Sequence, residues 1–376
     1  MQPAHRDQIG RYTAAALTSL KVCMDWFGPL SRGSLTLLDP RRGSGSLPEG
    51  VDVVLDPAQW VDRPPAMLLE LNVARGIARR YVHDVVGSSG LPPWFVDGLA
   101  ELTARRIAVP LFETRALPGG YAVHEDRYFG GFVPRLINIR LFPETGGEPL
   151  PAYRTRPRVD PVAVPEAVED VRSLTAKTVL TLFTLERWVG RPAFDAIVRE
   201  FVRRSGGRQA SIADFTRTAS AVSGQDLSWL LAQAFESPRI FDYAVERLES
   251  EPDAGGFYRS AVVVRRLGDG MFTGTSAPRV GPFESGRGVT LRMTLADGSA
   301  RVDTWDGRAL SKTFLYRSRV RAASAQIDPE RTLLLDVNLT NNSRALAPRT
   351  KAAAARWSAL WLLWLENLLL TYAWLV

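Results

Sequence analysis

VARGIARRYV (73–82) and, after a short break, LPPWFVDGLAELTARR (91–106) are the two runs that decide how this chain folds. Around the first, Met67, Leu71, Ala74, Ala78, Val82 and Val85 recur every three or four residues, the spacing of a long helix with a buried face. Pro64 and Pro65 punctuate its start, and glycine and proline between the runs predict a short loop before a second helix. Arg75 and Arg79 stand four apart and so share one face of the first helix. Gly76 sits between them in mid-helix, where glycine costs about 1 kcal/mol relative to alanine.

Taken together, the two runs resemble the zinc-binding core of the aminopeptidase N-type gluzincin metallopeptidases. In that core a helix reading Val-Ala-His-Glu-x-x-His is followed by Trp-x-x-Glu-Gly-x-Ala. Laid on that pattern, Arg75 and Arg79 occupy the positions of the two zinc histidines and Gly76 that of the general-base glutamate. Asp97 takes the place of the third ligand, a glutamate. Further segments follow the family's order. A helix, Trp-Phe-Gly-Pro, a strand ending Asp39-Pro40, a glycine loop and a second strand at 51–55 open the chain. Residues 175–190 then resemble the Tyr-Glu-Lys-Gly segment and its helix, with Thr175 where the tyrosine that steadies the tetrahedral intermediate is implied. Segments 194–203, 213–215 and 223–235 continue the match.

The letters that carry the chemistry differ. A guanidinium is a permanent cation with no lone pair for zinc, and glycine has no group to deprotonate water. His83 has no second histidine at helical spacing, and His5 and His124 stand alone. The expectation is therefore a pseudoenzyme with no catalytic residue, no metal and no cofactor. Its vestigial positions are Arg75, Gly76, Arg79, Asp97 and Thr175, and its binding residues are Arg75, Arg79, Asp97 and Glu101. On this reading the two arginines replace the ion and compensate the acids, since an unpaired buried charge is expensive.

Composition sets the outer bounds. An apolar fraction of 45% with 23% charged residues is that of a folded globular chain, and 376 residues exceed one ordinary core. The net charge of +7 is mostly scattered arginine without a recognition-helix or aromatic-basic motif, which argues against a nucleic-acid partner. A single cysteine, Cys23, excludes an intramolecular disulfide framework and a cysteine-rich metal site. From 258 to 342 the period changes: β-prone runs at 261–264, 289–295, 301–305, 314–316 and 332–337 are separated by Asp-Gly and Asp-Pro turns. Asn338-Leu-Thr340 and Asn341-Asn-Ser343 match a glycosylation acceptor pattern, but read as hydrogen-bonding residues at a strand end.

The end of the sequence, WSALWLLWLENLLLTYAWLV (357–376), is long and apolar enough for a membrane span. Arg344, Arg349, Lys351 and Arg356 before it favour a cytoplasmic body by the positive-inside rule. Trp357, Trp361 and Trp364 form one helical stripe beside Glu366, an intramembrane acid that predicts contact with a membrane protein partner. The expected fold class is α+β. A thermolysin-like, mostly helical peptidase domain covers 1–250, a small antiparallel β-sandwich 255–345, a basic linker 346–356 and a single transmembrane helix 357–376. The expected function is a catalytically inactive, tail-anchored scaffold or regulatory subunit in a bacterial inner membrane, with a transporter among the candidate partners. The alternatives are a peptide-binding module that reuses the vestigial cleft and a residual metallopeptidase.

Overall fold

Gly28 and Pro29 end the first apolar-periodic run, and α1 spans Ile9–Phe27, with the Gly28 N–H closing on the Met24 carbonyl at 2.9 Å. Two short strands follow, β1 (Leu37–Leu38) and β2 (Val53–Val54), paired in parallel with Leu37 opposite Val53. Next come α2 (Leu68–Val86) and α3 (Pro93–Glu113). The computed structural model describes residues 6, 8–30, 34–40, 51–55, 68–86, 90–113, 149–163, 167–205, 209–274, 288–347, 354, 358, 361 and 365. The chain divides into two compact units. One is Met1–Gly147, Val202–Ala210 and Arg349–Val376; the other is Glu148–Phe201 and Ser211–Pro348.

In the first unit α2 packs against α1, α3 and β2 at once. Val73, Ala74, Ile77, Ala78, Tyr81 and Val82 are buried along it, so the small residues of the apolar stripe let the neighbouring elements come close. Arg11 of α1 grips Glu70 of α2 with two parallel bonds, Nε to Oε1 at 2.9 Å and Nη2 to Oε2 at 2.8 Å. Glu70 is buried, and this bidentate geometry compensates its charge. The Tyr81 hydroxyl donates to the Gly28 carbonyl and ties α2 to the end of α1. Cys23 is buried here, and burial pushes its thiol up to about 12, which makes it a packing residue.

Gly76 finds its reason in this packing. A Cβ at that position would lie 2.6 Å from Val53 Cγ1 and 3.4 Å from Leu55 Cδ2. The helix accepts the propensity cost of glycine because the strand β2 and its flank pass directly over it.

The second unit contains α4 (Pro149–Thr155), α5 (Val168–Val189), α6 (Arg191–Ser205, in this unit through Phe201), α7 (Ile212–Ser223) and α8 (Ser228–Phe235). Gly190, at φ +86°, turns the chain between α5 and α6. A full capping box starts α7: Asp214 N–H donates to Ser211 Oγ, and Ser211 N–H donates to Asp214 Oδ2. Trp188, Trp229 and Phe272 meet edge to face, with centroids 5.0 to 5.5 Å apart.

The remaining strands are β3 (Tyr243–Asp253), β4 (Phe257–Arg266), β5 (Val289–Leu295), β6 (Ala300–Trp305), β7 (Ser311–Ser318), β8 (Ala322–Ile327) and β9 (Ser343–Ala345). They form two antiparallel sheets, ordered β3-β4-β7 and β6-β5-β8-β9. β3 packs on β8 and β9, so the sheets meet face to face. Val289, Leu291, Met293 and Leu295 alternate inward along β5, as a half-buried strand requires.

The apolar run 332–337 is not a strand. It is irregular backbone held by two buried carboxylates. Asp328 accepts the N–H groups of Thr332 and Leu333, both at 2.9 Å. Asp336 accepts those of Asn338 at 2.9 Å and Tyr243 at 3.2 Å, and the Asn342 amide at 3.0 Å. Leu334 N–H donates to Thr184 Oγ1 of α5 at 3.0 Å, so this segment links helices to sheets within the unit. Local side-chain acceptors here outcompete a strand ladder for the backbone donors.

The fold class expected from the sequence does not stand. The architecture combines helices with a parallel pair and two antiparallel sheets, and among the described residues no helix is long and apolar enough to cross a membrane. An apolar run of span length is a necessary condition for a transmembrane helix and not a sufficient one. α1, α2, α3 and α5 have 19 to 22 residues, but each is amphipathic and carries charge. Of 357–376 only residues 358, 361 and 365 are described; the rest of the expected span, and linker residues 348–353, 355 and 356, lie outside them. Among the described residues, then, nothing supports the single-pass inner-membrane localisation or the tail anchor.

Two outcomes follow from this packing. Gly76→Ala should destabilise the chain by about 1–3 kcal/mol despite alanine's better propensity, because Val53 is β-branched and stiff. In denaturant titrations, Gly76→Ala combined with Val53→Ala should lose less than the sum of the two single changes. The second outcome concerns Asp336, whose carboxyl is pushed up from 3.8 to about 7, chiefly by burial and further by Asp242. Between those values the folded chain holds more protons than the unfolded one. The stability from this group is therefore complete below 3.8 and lost as pH rises through about 7. The melting-temperature difference between the wild type and Asp336→Asn should shift in that direction across the window.

Candidate functional site

Arg75, Arg79 and His83 recur every four residues along α2, and Asp97, Glu101 and Arg105 do the same along α3. Arg75 meets Glu101 while Arg79 and His83 meet Asp97, so the helices run antiparallel and the two rows zip together. The short connection between α2 and α3 imposes that direction.

The seam has a tight end and a loose end. At the tight end, Arg75 Nη2 lies 3.1 Å from Glu101 Oε1, and its Nε 3.2 Å from Oε2. Arg105 Nε lies 3.3 Å from the same Oε1, and Arg105 is only 2% exposed. Glu101 is thus shared by two guanidinium groups, one of them buried. At the loose end, Asp97 Oδ1 is 3.6 Å from Arg79 Nε and 3.5 Å from His83 Nε2. Arg79 is 69% and His83 45% exposed, so both can leave Asp97 for another partner at little cost. On the flank, Arg80 holds Asp84 at 3.0 Å.

The structure therefore brings Arg75, Arg79, Asp97 and Glu101 into one seam, with Gly76 on the same helix against β2. Two members escaped the sequence reading. His83 was passed over as a lone histidine, although its spacing of four from Arg79 puts it in the row; Arg105 follows Glu101 at the same spacing. Thr175 lies half-buried on α5, in the second unit. Trp361 is 63% exposed, while Trp357, Trp364 and Glu366 lie outside the described residues. Among the described residues no three or more His, Cys, Asp or Glu side chains group to hold a metal ion.

No family model matches the chain, and no curated protein matches it. Among solved structures it is similar to aminopeptidase A of Legionella pneumophila in complex with aspartic acid, with a TM-score of 0.51 and 16% identity. The match covers 89% of this chain and 35% of the other, so the chain spans about a third of that protein's length. The likeness is one of fold, and the fold is aminopeptidase-like. The expectation of a chain that is not an enzyme does not stand against this neighbour, whose own name is that of an aminopeptidase, and the likeness itself reaches the fold alone. The pseudoenzyme and gluzincin assignments likewise find no support there. Replaced letters at Arg75, Gly76, Arg79, Asp97 and Thr175 had carried those expectations.

The two ends of the seam should respond differently to substitution. Glu101→Gln takes a carboxylate from the buried Arg105 and should cost about 3 kcal/mol in urea-unfolding experiments. Arg79→Ala should cost under about 1 kcal/mol, as for an exposed pair.

Proposed function

We propose that this chain binds peptides at the loose end of the α2–α3 seam, with Arg79 receiving a carboxylate of the ligand and Asp97 an ammonium. The observation that carries the reading is the half-exposed Asp97, held beyond 3.4 Å by two exposed partners on one side of an aminopeptidase-like fold. Such a carboxylate keeps acceptor capacity for an incoming donor, and a planar guanidinium beside it matches a carboxylate in two-pronged fashion. The inner Glu101, gripped by Arg75 and Arg105, keeps the two helices in register beneath the site. The aminopeptidase-like fold supports a peptide as the ligand class.

A second reading is hydrolysis of the bound peptide, favoured by His83 beside Asp97. An imidazole oriented by a carboxylate can take a proton from water, which is general-base work. Both readings are tested together by calorimetric titration with a set of short peptides and by following their cleavage. Arg79→Ala should weaken binding by about tenfold, the worth of one charge-assisted contact. Equal affinity of wild type and variant sinks the binding site. Cleavage that survives His83→Ala sinks the second reading.

A further inference from the structure

In the second unit, far along the sequence from the α2–α3 seam, oxygen atoms gather without enough donors to satisfy them. Asp336 is 1% exposed, and its three bonds come from Asn338 N–H on Oδ1 and from Tyr243 N–H and the Asn342 amide on Oδ2. Asp242, at the foot of β3, accepts the Asn341 amide at 2.8 Å. Each asparagine thus spends its NH2 on one of the two aspartates. The carbonyl oxygens of the same amides, Asn341 Oδ1 and Asn342 Oδ1, are buried with no hydrogen-bond partner. Asn342 is itself 1% exposed.

An amide oxygen is joined to the same carbon as its nitrogen. Anchoring the NH2 on a carboxylate therefore leaves the oxygen beside that carboxylate. The cluster holds two carboxylates and two orphan amide oxygens, with lone pairs in excess of donors. Buried acceptors left in this condition are costly. Both carboxyls are pushed up, mainly by burial, and Asp242 adds to the effect on Asp336. Arg154 of α4 lies within electrostatic reach of both aspartates, and Arg331 acts on Arg154. Arg154 favours the charged form of Asp242, yet burial still holds that carboxyl above its usual range. Tyr153, whose buried hydroxyl has no hydrogen-bond partner, is raised by burial and then by Asp336, and adds no positive charge.

We propose that Asp242, Asp336, Asn341 and Asn342 form a binding site for a hard divalent cation, calcium above all, that fastens the 336–342 segment to the start of β3. All-oxygen donors of mixed carboxylate and amide type, on irregular backbone, are what calcium takes, with water completing the shell. Magnesium demands a stricter octahedron and gives up its water reluctantly, so it should bind more weakly. Two carboxylates rather than three or four place the affinity in the weak range, with Kd on the order of 10⁻⁴ M.

The test is calorimetric titration of the full chain, stripped with chelator, with calcium and then with magnesium, beside melting curves with and without calcium at pH 6 and pH 8. One calcium per chain and a melting temperature raised by calcium, more at pH 8 than at pH 6, are expected. Asp242→Asn, at the half-buried edge of the site, should fold and bind calcium at least tenfold more weakly. Asp336→Asn should do the same if it folds. No calcium heat and no melting shift would overturn the proposal. Calcium binding undiminished in Asp242→Asn would overturn it equally, placing the ion elsewhere.

Discussion

Helix α2 must satisfy three neighbours at once, and the first unit is arranged around that constraint. Towards α1 it presents Glu70 to the two-pronged grip of Arg11. Towards β2 it presents no side chain at all at Gly76, where Val53 stands in the space. Towards α3 it presents the row Arg75, Arg79 and His83. Each face excludes the chemistry of the others: a guanidinium at 76 would strike the strand, and a glycine at 75 would leave Glu101 with one cation fewer. The exposed end of the third face is where a ligand can compete, because pairs there are worth little to folding.

Much of this was legible beforehand. The period of apolar residues gives α1 and α2, the Gly28-Pro29 stop is read directly, and Asp-Gly dipeptides mark the turns between strands. The grouping of Arg75 and Arg79 with Asp97 and Glu101 was drawn from a family resemblance, without knowledge of which arginine meets which acid. Other features could not be read. Gly76 read only as a vestigial position because the strand that passes over it is distant in sequence, and tertiary contact alone reveals the reason. Arg11 and Glu70 are 59 residues apart, and no local pattern links them. The run 332–337 has the composition of a strand, but Asp328 and Thr184 capture its backbone donors first. For the apolar end at 357–376 the reading rested on hydropathy alone, which records composition and not placement, and most of that end lies outside the described residues.

The second unit follows the opposite logic from the first. Where α2 and α3 set cations against acids along their seam, the segment 328–342 concentrates acceptors on two buried aspartates and lets the backbone supply most of the donors. That arrangement is stable when the carboxylates are protonated or balanced by a cation. It therefore ties the link between α5 and the sheets to solution conditions.

The central claim, that the exposed end of the α2–α3 seam is the place where this chain meets a peptide, is tested most directly by hydrogen exchange with and without a saturating peptide. Slower exchange confined to α2 around Arg79 and His83 and to the first turns of α3 around Asp97 is the predicted result. Protection elsewhere in the chain with none on those two helices would contradict it.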